Sequence, residues 1–411
     1  LLYVTEDDAK RPHRLWRHVL GTEASQDVLV YEEKDERFTL EVERSRSGEL
    51  LVLHARSHTQ GEARVLRAAE PAGTFRTVVP RAPDLEYDLD HRGSLVYLRI
   101  NDRGRNFRLV AAPLDDPRPE RWTEVVPHRD EVMLEAVSLF RGHAVLRERR
   151  RGLPALRVLD LGKGGAREVA FDEPVYSVFP DRNEDFDARA FRFAYQSLVT
   201  PRSIYEVDLS TLERRLLKRE PVLGGYDPSA YEQARLEAAA PDGTLVPISL
   251  VRRKGLPRDG STPLLLAGYG SYGFAYPVTF DSSRVSLLDR GVTFAVAHVR
   301  GGGEMGKRWH DQGRMHRKAN TFSDFVACAE HLVRERWTSP GRLAISGGSA
   351  GGLLVGATLN LRPDLFKAAV ALVPFVDVMN TMLDESLPLT VGEFEEWGNP
   401  RVAADFQAML R

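Results

Sequence analysis

The sequence predicts a partial β-propeller followed by a partial α/β domain built on a parallel sheet. Three observations predict it. Short strands repeat every 45 to 49 residues in the first half; after about Leu236 the texture changes to continuous apolar strands alternating with helical stretches; and one of those strands runs straight into "GGSAGG" and a further helical stretch. The predicted division assigns residues 1–228 to propeller blades and residues 229–411 to the α/β domain.

The repeat comes first. "SGELLVLHARS", "RGSLVYLRIND" and "RGHAVLRERRR" each open a strand on a turn glycine, at Gly48, Gly93 and Gly142. Each is followed by a turn and a second strand, "ARVLRAAE", "FRLVAAPL" and "LRVLDLG", and "FRFAYQSLVTPRSIYEVDLS" is a looser fourth copy. Multi-strand repeats of about 40–50 residues are the mark of propeller blades, whose small sheets bury their faces only by stacking on one another. A β-sandwich with coincidental spacing is the alternative. In the same register Leu2 stands 49 residues before Leu51, so residue 1 is expected to fall inside a blade, in its second half. About four blades are visible.

The second half supplies "GTLVPISLVRR", "TPLLLAGYG", "VTFAVAHVRGGG", "RLAISGGS" and "AAVALVPF". Strands without alternation are buried on both faces, which predicts a parallel sheet wrapped by helices. "NTFSDFVACAEHLVRER" reads as one such helix, capped by Asn320 or Thr321, with Phe322, Phe325, Val326, Ala329, Leu332 and Val333 on its apolar face.

Composition narrows the function classes. With 57 basic and 59 acidic residues among 411, the charge balance points to neither nucleic acid nor a membrane surface. No uncharged apolar run approaches the ~20 residues of a membrane helix, and the first residues lack the pattern of a signal peptide. The single cysteine, Cys328, cannot form an internal disulfide, which fits a reducing, cytoplasmic location. Oligomeric state is left open.

A strand, G-x-S-x-G and a helix in one stretch form the nucleophile elbow of α/β-hydrolases. In "RLAISGGSAGGLLVG" the nucleophile is Ser349, and Gly347 and Gly351 are needed because a β-carbon beside so sharp a turn would collide. A glycine turn that packs a helix on a strand, or cradles phosphate, is the alternative. The backbone N–H of Ala350 is the usual first donor to an oxyanion in this fold. No HGGG-type loop supplies a second. Instead "GYGSYGF", Gly268 to Phe274, carries two tyrosines at a strand's C-terminal end, and a tyrosine hydroxyl could be that donor or simply an aromatic plug.

These motifs, with "AVAHVRGGGEMGKRWHDQGR" and the long segment from "SGGSAGG" to "EEWGNP", resemble the prolyl oligopeptidase family of serine peptidases, and most closely its oligopeptidase B branch. The resemblance implies an α/β-hydrolase domain behind the propeller, Ser349 as nucleophile, and Tyr269 and Ala350 as oxyanion donors. It implies that the Arg300–Glu304 loop is a scaffold, and that short peptides are cleaved after Arg or Lys, with Glu393 and Glu395 of "GEFEEWG" receiving the basic side chain. Carboxylates with fork geometry suit a guanidinium in a partly dry pocket. Where the branch carries acids for a second basic side chain, this sequence has Pro277 and Thr279, so a weakened dibasic preference is expected. No cofactor is implied.

The triad order Ser, acid, His leaves a gap, because no histidine follows Ser349. Asp364, Asp377, Asp384 and Asp405 follow it, and none is assigned. His298 is expected to be a core or loop-holding residue, and His310 and His316 surface groups; the rival reading turns one of them back as base. No histidine–acid spacing suits zinc. The chain is therefore expected to be an internal fragment, inactive alone and poorly soluble. A non-catalytic propeller scaffold, an esterase and a dipeptidyl-peptidase relative are the competing readings.

Overall fold

The computed structural model describes residues 1–410. Residues 2–219 form five antiparallel sheets in succession. The first has three strands, Leu2–Glu6, Pro12–Arg17 and Val28–Glu32, and the next four have four strands each, each wound as a plain meander. Consecutive sheets stack. Leu15, Phe38, Leu40 and Leu53 fill the first junction, Leu98 and Val110 the second, Leu109 and Leu146 the third, and Phe140, Phe191 and Phe193 the fourth. This is propeller packing, in which a four-stranded unit buries its faces only against its neighbours. Gly48, Gly93 and Gly142 lie in the turns that precede the second strand of their sheets, at Leu50, Leu95 and His143, so the repeat marks one hairpin per blade. The opening segment has three strands instead of half a blade, because "DVLVYE" adds a third strand through a second ladder to Pro12–Arg17.

The last blade strand ends at Arg219, and a short turn at Pro228–Ala230, capped by the Asp227 side chain, leads into a six-stranded sheet. Its spatial order is 231–239, 245–253, 293–297, 264–267, 343–348, 368–372. The last four strands are mutually parallel, but "GTLVPISLVRR" is not one of them. It pairs antiparallel with Tyr231–Ala239 through a hairpin whose turn glycine, Gly243, has φ 83°, and it joins 293–297 antiparallel. A strand with only a tight turn before it has no crossover helix and cannot run parallel to its predecessor.

Helices Ala319–Arg334 and Ala350–Leu361 cover one face of this sheet over Ile248, Leu266, Ala295, Phe325, Leu332, Ile345 and Leu354. The first of them begins at Ala319 instead of being capped by Asn320 or Thr321. The Asn320 amide donates to Gln312 O, and Thr321 Oγ1 to Arg300 O. On the other face Ser282–Asp289 packs Leu288 against Val251, Phe294 and Val296, in a cluster that also takes in Val175, Leu198 and Val199 beside the last blade. Propeller and α/β sheet therefore share apolar core. Among the described residues no helix is long and apolar enough to cross a membrane.

Candidate active site

Strand Leu343–Gly348 passes into helix Ala350–Leu361 through Ser349 alone, which has φ 55° and ψ −120°. That region costs a residue with a β-carbon roughly 1–3 kcal/mol and persists only where surrounding bonds over-determine it. Here the Ser349 N–H donates to Leu372 O (2.9 Å), while its carbonyl accepts from Gly352 N (2.8 Å) and Phe375 N (3.0 Å). The neighbouring glycines follow from contact. A β-carbon on Gly347 would strike the Gly351 carbonyl, one on Gly351 would lie 2.6 Å from Gly268 O, and one on Gly352 would lie 2.5 Å from Pro374 Cβ. Ser349 is exposed, and Ala350 is buried at the first helical position, where a backbone N–H has no partner within the helix.

Against this elbow lies the Gly268–Phe274 loop. Gly270 and Gly273 have φ 74° and 63°, and Tyr272 adopts the same left-handed region at 61°. The Tyr269 ring packs edge-on to Phe274 with centroids 5.4 Å apart, and its Cδ2 lies 3.5 Å from where a β-carbon on Gly351, two residues past Ser349, would stand. Burial pushes the Tyr269 phenol up in pKa; Glu396 and Glu393 push it the same way, and the Ser349 side chain only partly opposes them. A phenol that keeps its proton can donate to an oxyanion. Ser349, Ala350 and Tyr269 are thus brought together, on one side of the sheet's C-terminal edge.

The Arg300–Glu304 loop braces the tyrosine loop rather than the elbow itself. A β-carbon on Gly301 or Gly303 would strike the carbonyls of Gly270 and Gly273, and Gly273 N donates to Gly301 O at 3.0 Å. Arg300 holds the loop down with a two-pronged bond to fully buried Asp324 (2.9 and 2.6 Å) and a third to Asp242 (2.6 Å).

Helix Thr390–Trp397 carries three carboxylates that face three ways. Glu393 is half-buried in the aromatic cluster, its Oε2 accepting from Tyr272 Oη (2.9 Å) and Trp397 Nε1 (3.0 Å). Glu395 faces the propeller, where Ser57 Oγ donates to it (2.8 Å) and Arg37 stands 3.6 Å away. Glu396 is fully buried and bonds His310 Nε2 at 2.6 Å. Burial alone would raise its pKa, but His310, Lys318 and the Tyr272 N–H together hold it below the usual glutamate value.

Two family models match the chain: the N-terminal β-propeller domain of prolyl oligopeptidase over residues 1–220, and the prolyl oligopeptidase family over residues 278–411. The chain belongs to the prolyl oligopeptidase family. Among similar proteins, dipeptidyl aminopeptidase BI of Pseudoxanthomonas mexicana is 44% identical, covering 100% of this chain and 57% of its own length. Protease 2 of Moraxella lacunata is 39% identical, over 99% and 58%. Oligopeptidase B of Leishmania major superposes with a TM-score of 0.95 at 38% identity, covering 100% of this chain and 59% of that one. Oligopeptidase B of Trypanosoma brucei with covalently bound antipain, in its closed form, gives 0.95 at 40%, over 99% and 59%. The chain spans less than two thirds of the length of each.

In this family member the three histidines weighed as an alternative base, His298, His310 and His316, are bonded elsewhere. His298 pairs with Ser249 Oγ at 2.8 Å and approaches Glu304, the loop-holding position expected of it. His316 is half-exposed and pairs with Asp405. His310 departs from expectation. It is buried, not a surface group, because helix Lys307–Asp311 packs beneath the tyrosine loop and Glu396 supplies its partner. The later aspartates have local work: Asp364 pairs with Arg362, Asp377 caps Val378–Leu383, and Asp384 accepts from Ser386. Pro277 and Thr279 sit on the seam with the last blade, where Val278 N donates to Ser177 Oγ and Phe280 N to the Gln196 side chain. The adjoining cavity of about 190 Å³ carries the guanidinium of Arg284 and no acid. Sequence reasoning missed Lys318, Glu396 and His310 as a group. The available signal was Phe394 and Trp397 three apart, which sets Glu393 and Glu396 toward the buried face and Glu395 away from it.

Proposed function

We propose that the protein is a serine peptidase that cleaves short peptides after Arg or Lys, with Ser349 attacking the carbonyl and Tyr269 and the Ala350 N–H receiving the oxyanion. The observation that carries this reading is the convergence of an exposed, strained Ser349 and a proton-retaining Tyr269 at the end of one strand. Ester formation at Ser349 releases the amine half of the peptide, and water then hydrolyses the ester; the base that accepts the serine proton is not assigned to any described residue. Donors fixed in place before charge develops contribute more than donors that must reorganise. Here the elbow glycines and the Arg300 loop do the fixing.

Glu393 is the favoured seat for the basic side chain, since its carboxylate is oriented by two donors on one oxygen and lies in the aromatic cluster that includes Tyr269 and Tyr272. Glu395, on the propeller side of the same helix, offers a second carboxylate when a substrate guanidinium takes the place of Arg37 there. The Arg284 charge beside Pro277 and Thr279 disfavours a second basic side chain there. Relatives named oligopeptidase B and protease 2 agree with an endopeptidase. The lone cysteine, Cys328, is fully buried, in keeping with action in the cytoplasm.

The test uses the full-length gene product and an arginyl peptide amide. Ser349→Ala is expected to abolish turnover, and retained cleavage overturns the assignment. A second reading comes from the relative named dipeptidyl aminopeptidase BI. Cleavage that requires a free substrate N-terminus would favour it over an endopeptidase.

A further inference from the structure

Directly beneath the tyrosine loop lies an ionic cluster that the attack on a carbonyl does not itself require. Lys318, at the foot of helix Ala319–Arg334, donates from Nζ to Gly270 O (2.7 Å) and Ser271 Oγ (2.5 Å). Its ammonium stands 3.6 Å from Glu396 Oε1 and 4.7 Å from the centroid of the Trp397 ring. The same Glu396 oxygen accepts the Tyr272 N–H at 3.0 Å, and its other oxygen is held by His310. Three consecutive loop residues, Gly270, Ser271 and Tyr272, are therefore tied to one lysine–glutamate pair. Buried pairs of this kind contribute little net stability against apolar replacements, so their best-attested use is to select one arrangement among several.

We propose that Lys318 and Glu396 are positioning residues that clamp the 270–272 segment so that the Tyr269 hydroxyl meets the oxyanion formed at Ser349. This rests on the function proposed above. The clamp also joins recognition to chemistry, because Glu396 shares a helix with Glu393, and Glu393 accepts from the hydroxyl of Tyr272 while Glu396 accepts from its N–H. A cation arriving at Glu393 therefore acts on the same loop residue that the clamp holds.

Several charged or titratable groups face Lys318 or its partner. Glu396 and Glu393 come from helix Thr390–Trp397, Tyr269 and Tyr272 from the loop, His310 and Lys307 from helix Lys307–Asp311, and Arg314 from the following turn. Burial lowers the Lys318 pKa to about 8, against the pull of Glu396. Burial likewise lowers that of His310, which leaves a neutral ring whose Nε2–H donates to Glu396 and whose Nδ1 has no partner. On the alkaline side Lys318 is then the group in the clamp that loses its charge, leaving the Glu396 carboxylate buried without its cation. The activity that depends on the clamp is present below pH ~8 and is lost above it.

The experiment measures, in the full-length gene product, how fast a neutral alkyl fluorophosphonate modifies Ser349, alongside kcat and KM on an arginyl amide. The phosphoryl oxygen of the probe occupies the oxyanion position. Lys318→Met and Glu396→Gln should each slow labelling and kcat by about 10–100-fold with KM nearly unchanged. Lys318→Arg should recover labelling to within about threefold and extend the alkaline limb to higher pH, because a guanidinium does not deprotonate there. In a Tyr269→Phe background, Lys318→Met should add almost nothing, since the clamp acts through that phenol. Equal slowing in both backgrounds, an effect on KM alone, or an alkaline limb unmoved by arginine overturns the clamp. Wild-type labelling without arginyl cleavage would sink the substrate reading and leave the clamp readable from labelling; cleavage with unslowed variants would do the reverse. Absence of both activities in the wild type removes the nucleophile and the clamp together.

Discussion

Hairpin glycines of the blades and the glycines around Ser349 are used for different reasons, although each half holds some of both kinds: Gly243 is an open turn glycine in the α/β half, and Gly104 is crowded by His128 in a blade. In the blades, Gly93 and Gly164 turn hairpins at φ 63° and 74° with open space where a side chain would be. In the α/β half, Gly268, Gly301, Gly347, Gly351 and Gly352 are pinned by what surrounds them: Gly301 and Gly351 by the backbone of the tyrosine loop, Gly347 by that of Gly351, Gly268 by Phe325 and Leu354, and Gly352 by Pro374. The first kind answers to conformation and the second to packing. A propeller blade needs its chain to turn, whereas the elbow needs three loops to touch.

The sharpest way to break that comparison is Gly351→Ala. A β-carbon there would lie 2.6 Å from Gly268 O and 3.5 Å from Tyr269 Cδ2, so the elbow and the tyrosine loop must part. Overpacking of this sort costs about 1–3 kcal/mol of stability. The larger effect is on chemistry, because a displacement of about 1 Å between nucleophile and oxyanion donor can cost roughly a hundredfold in rate. The expected outcome is kcat on an arginyl amide reduced at least that far in a protein that still folds, checked by kinetics and circular dichroism together. Near-normal kcat would mean that the two loops are not held in register by this contact.

The same contrast explains what could be read in advance. Blades were legible because each needs one hairpin of fixed length, so Gly48, Gly93 and Gly142 recur at near-constant spacing. The elbow was legible because Ser349 and its glycines are contiguous. The hairpin Tyr231–Arg253 was not seen as antiparallel, since its apolar run "LVPISLV" is buried on both faces and lacks alternation, as a parallel strand would. Nor was the clamp visible. Lys318 and Glu396 stand 8 and 86 residues after His310, and only the closing of the fold puts the three together. Within "EFEE" the three acids have one chemistry and three environments, and helix phase alone separates them.

A smaller effect is expected where the halves meet through charge. Arg37 is bonded twice to Asp35 on its own turn and only approaches Glu395, at 3.6 Å with its side chain 43% exposed. If that guanidinium is the resident competitor for the substrate's, Arg37→Ala should lower KM for an arginyl substrate by about two- to fivefold, with kcat little changed. Exposed pairs of this kind contribute on the order of 0–1 kcal/mol and are screened by salt. The gain should therefore shrink as salt is raised. An unchanged or higher KM at low salt would show that Glu395 serves the domain seam and not the basic side chain.

The least effect is expected from Gly93→Ala, which completes the contrast with Gly351. The residue sits at φ 63° in the left-handed region, with no atom within 4 Å of where its β-carbon would be, so the only cost is conformational. For an alanine that is roughly 1–2 kcal/mol, a shift of only a few degrees in Tm for a unit the size of the propeller. The turn joins Tyr87–Arg92 to Leu95–Ile100, and the ladder between these strands, Arg92 opposite Leu95 through Tyr87 opposite Ile100, contains no catalytic contact. Thermal unfolding should show the small loss while kcat and KM stay at wild-type values. If kcat fell as it does for Gly351→Ala, the blades would have to be transmitting strain into the elbow, and an open hairpin glycine could not be told from a packed one by its local contacts.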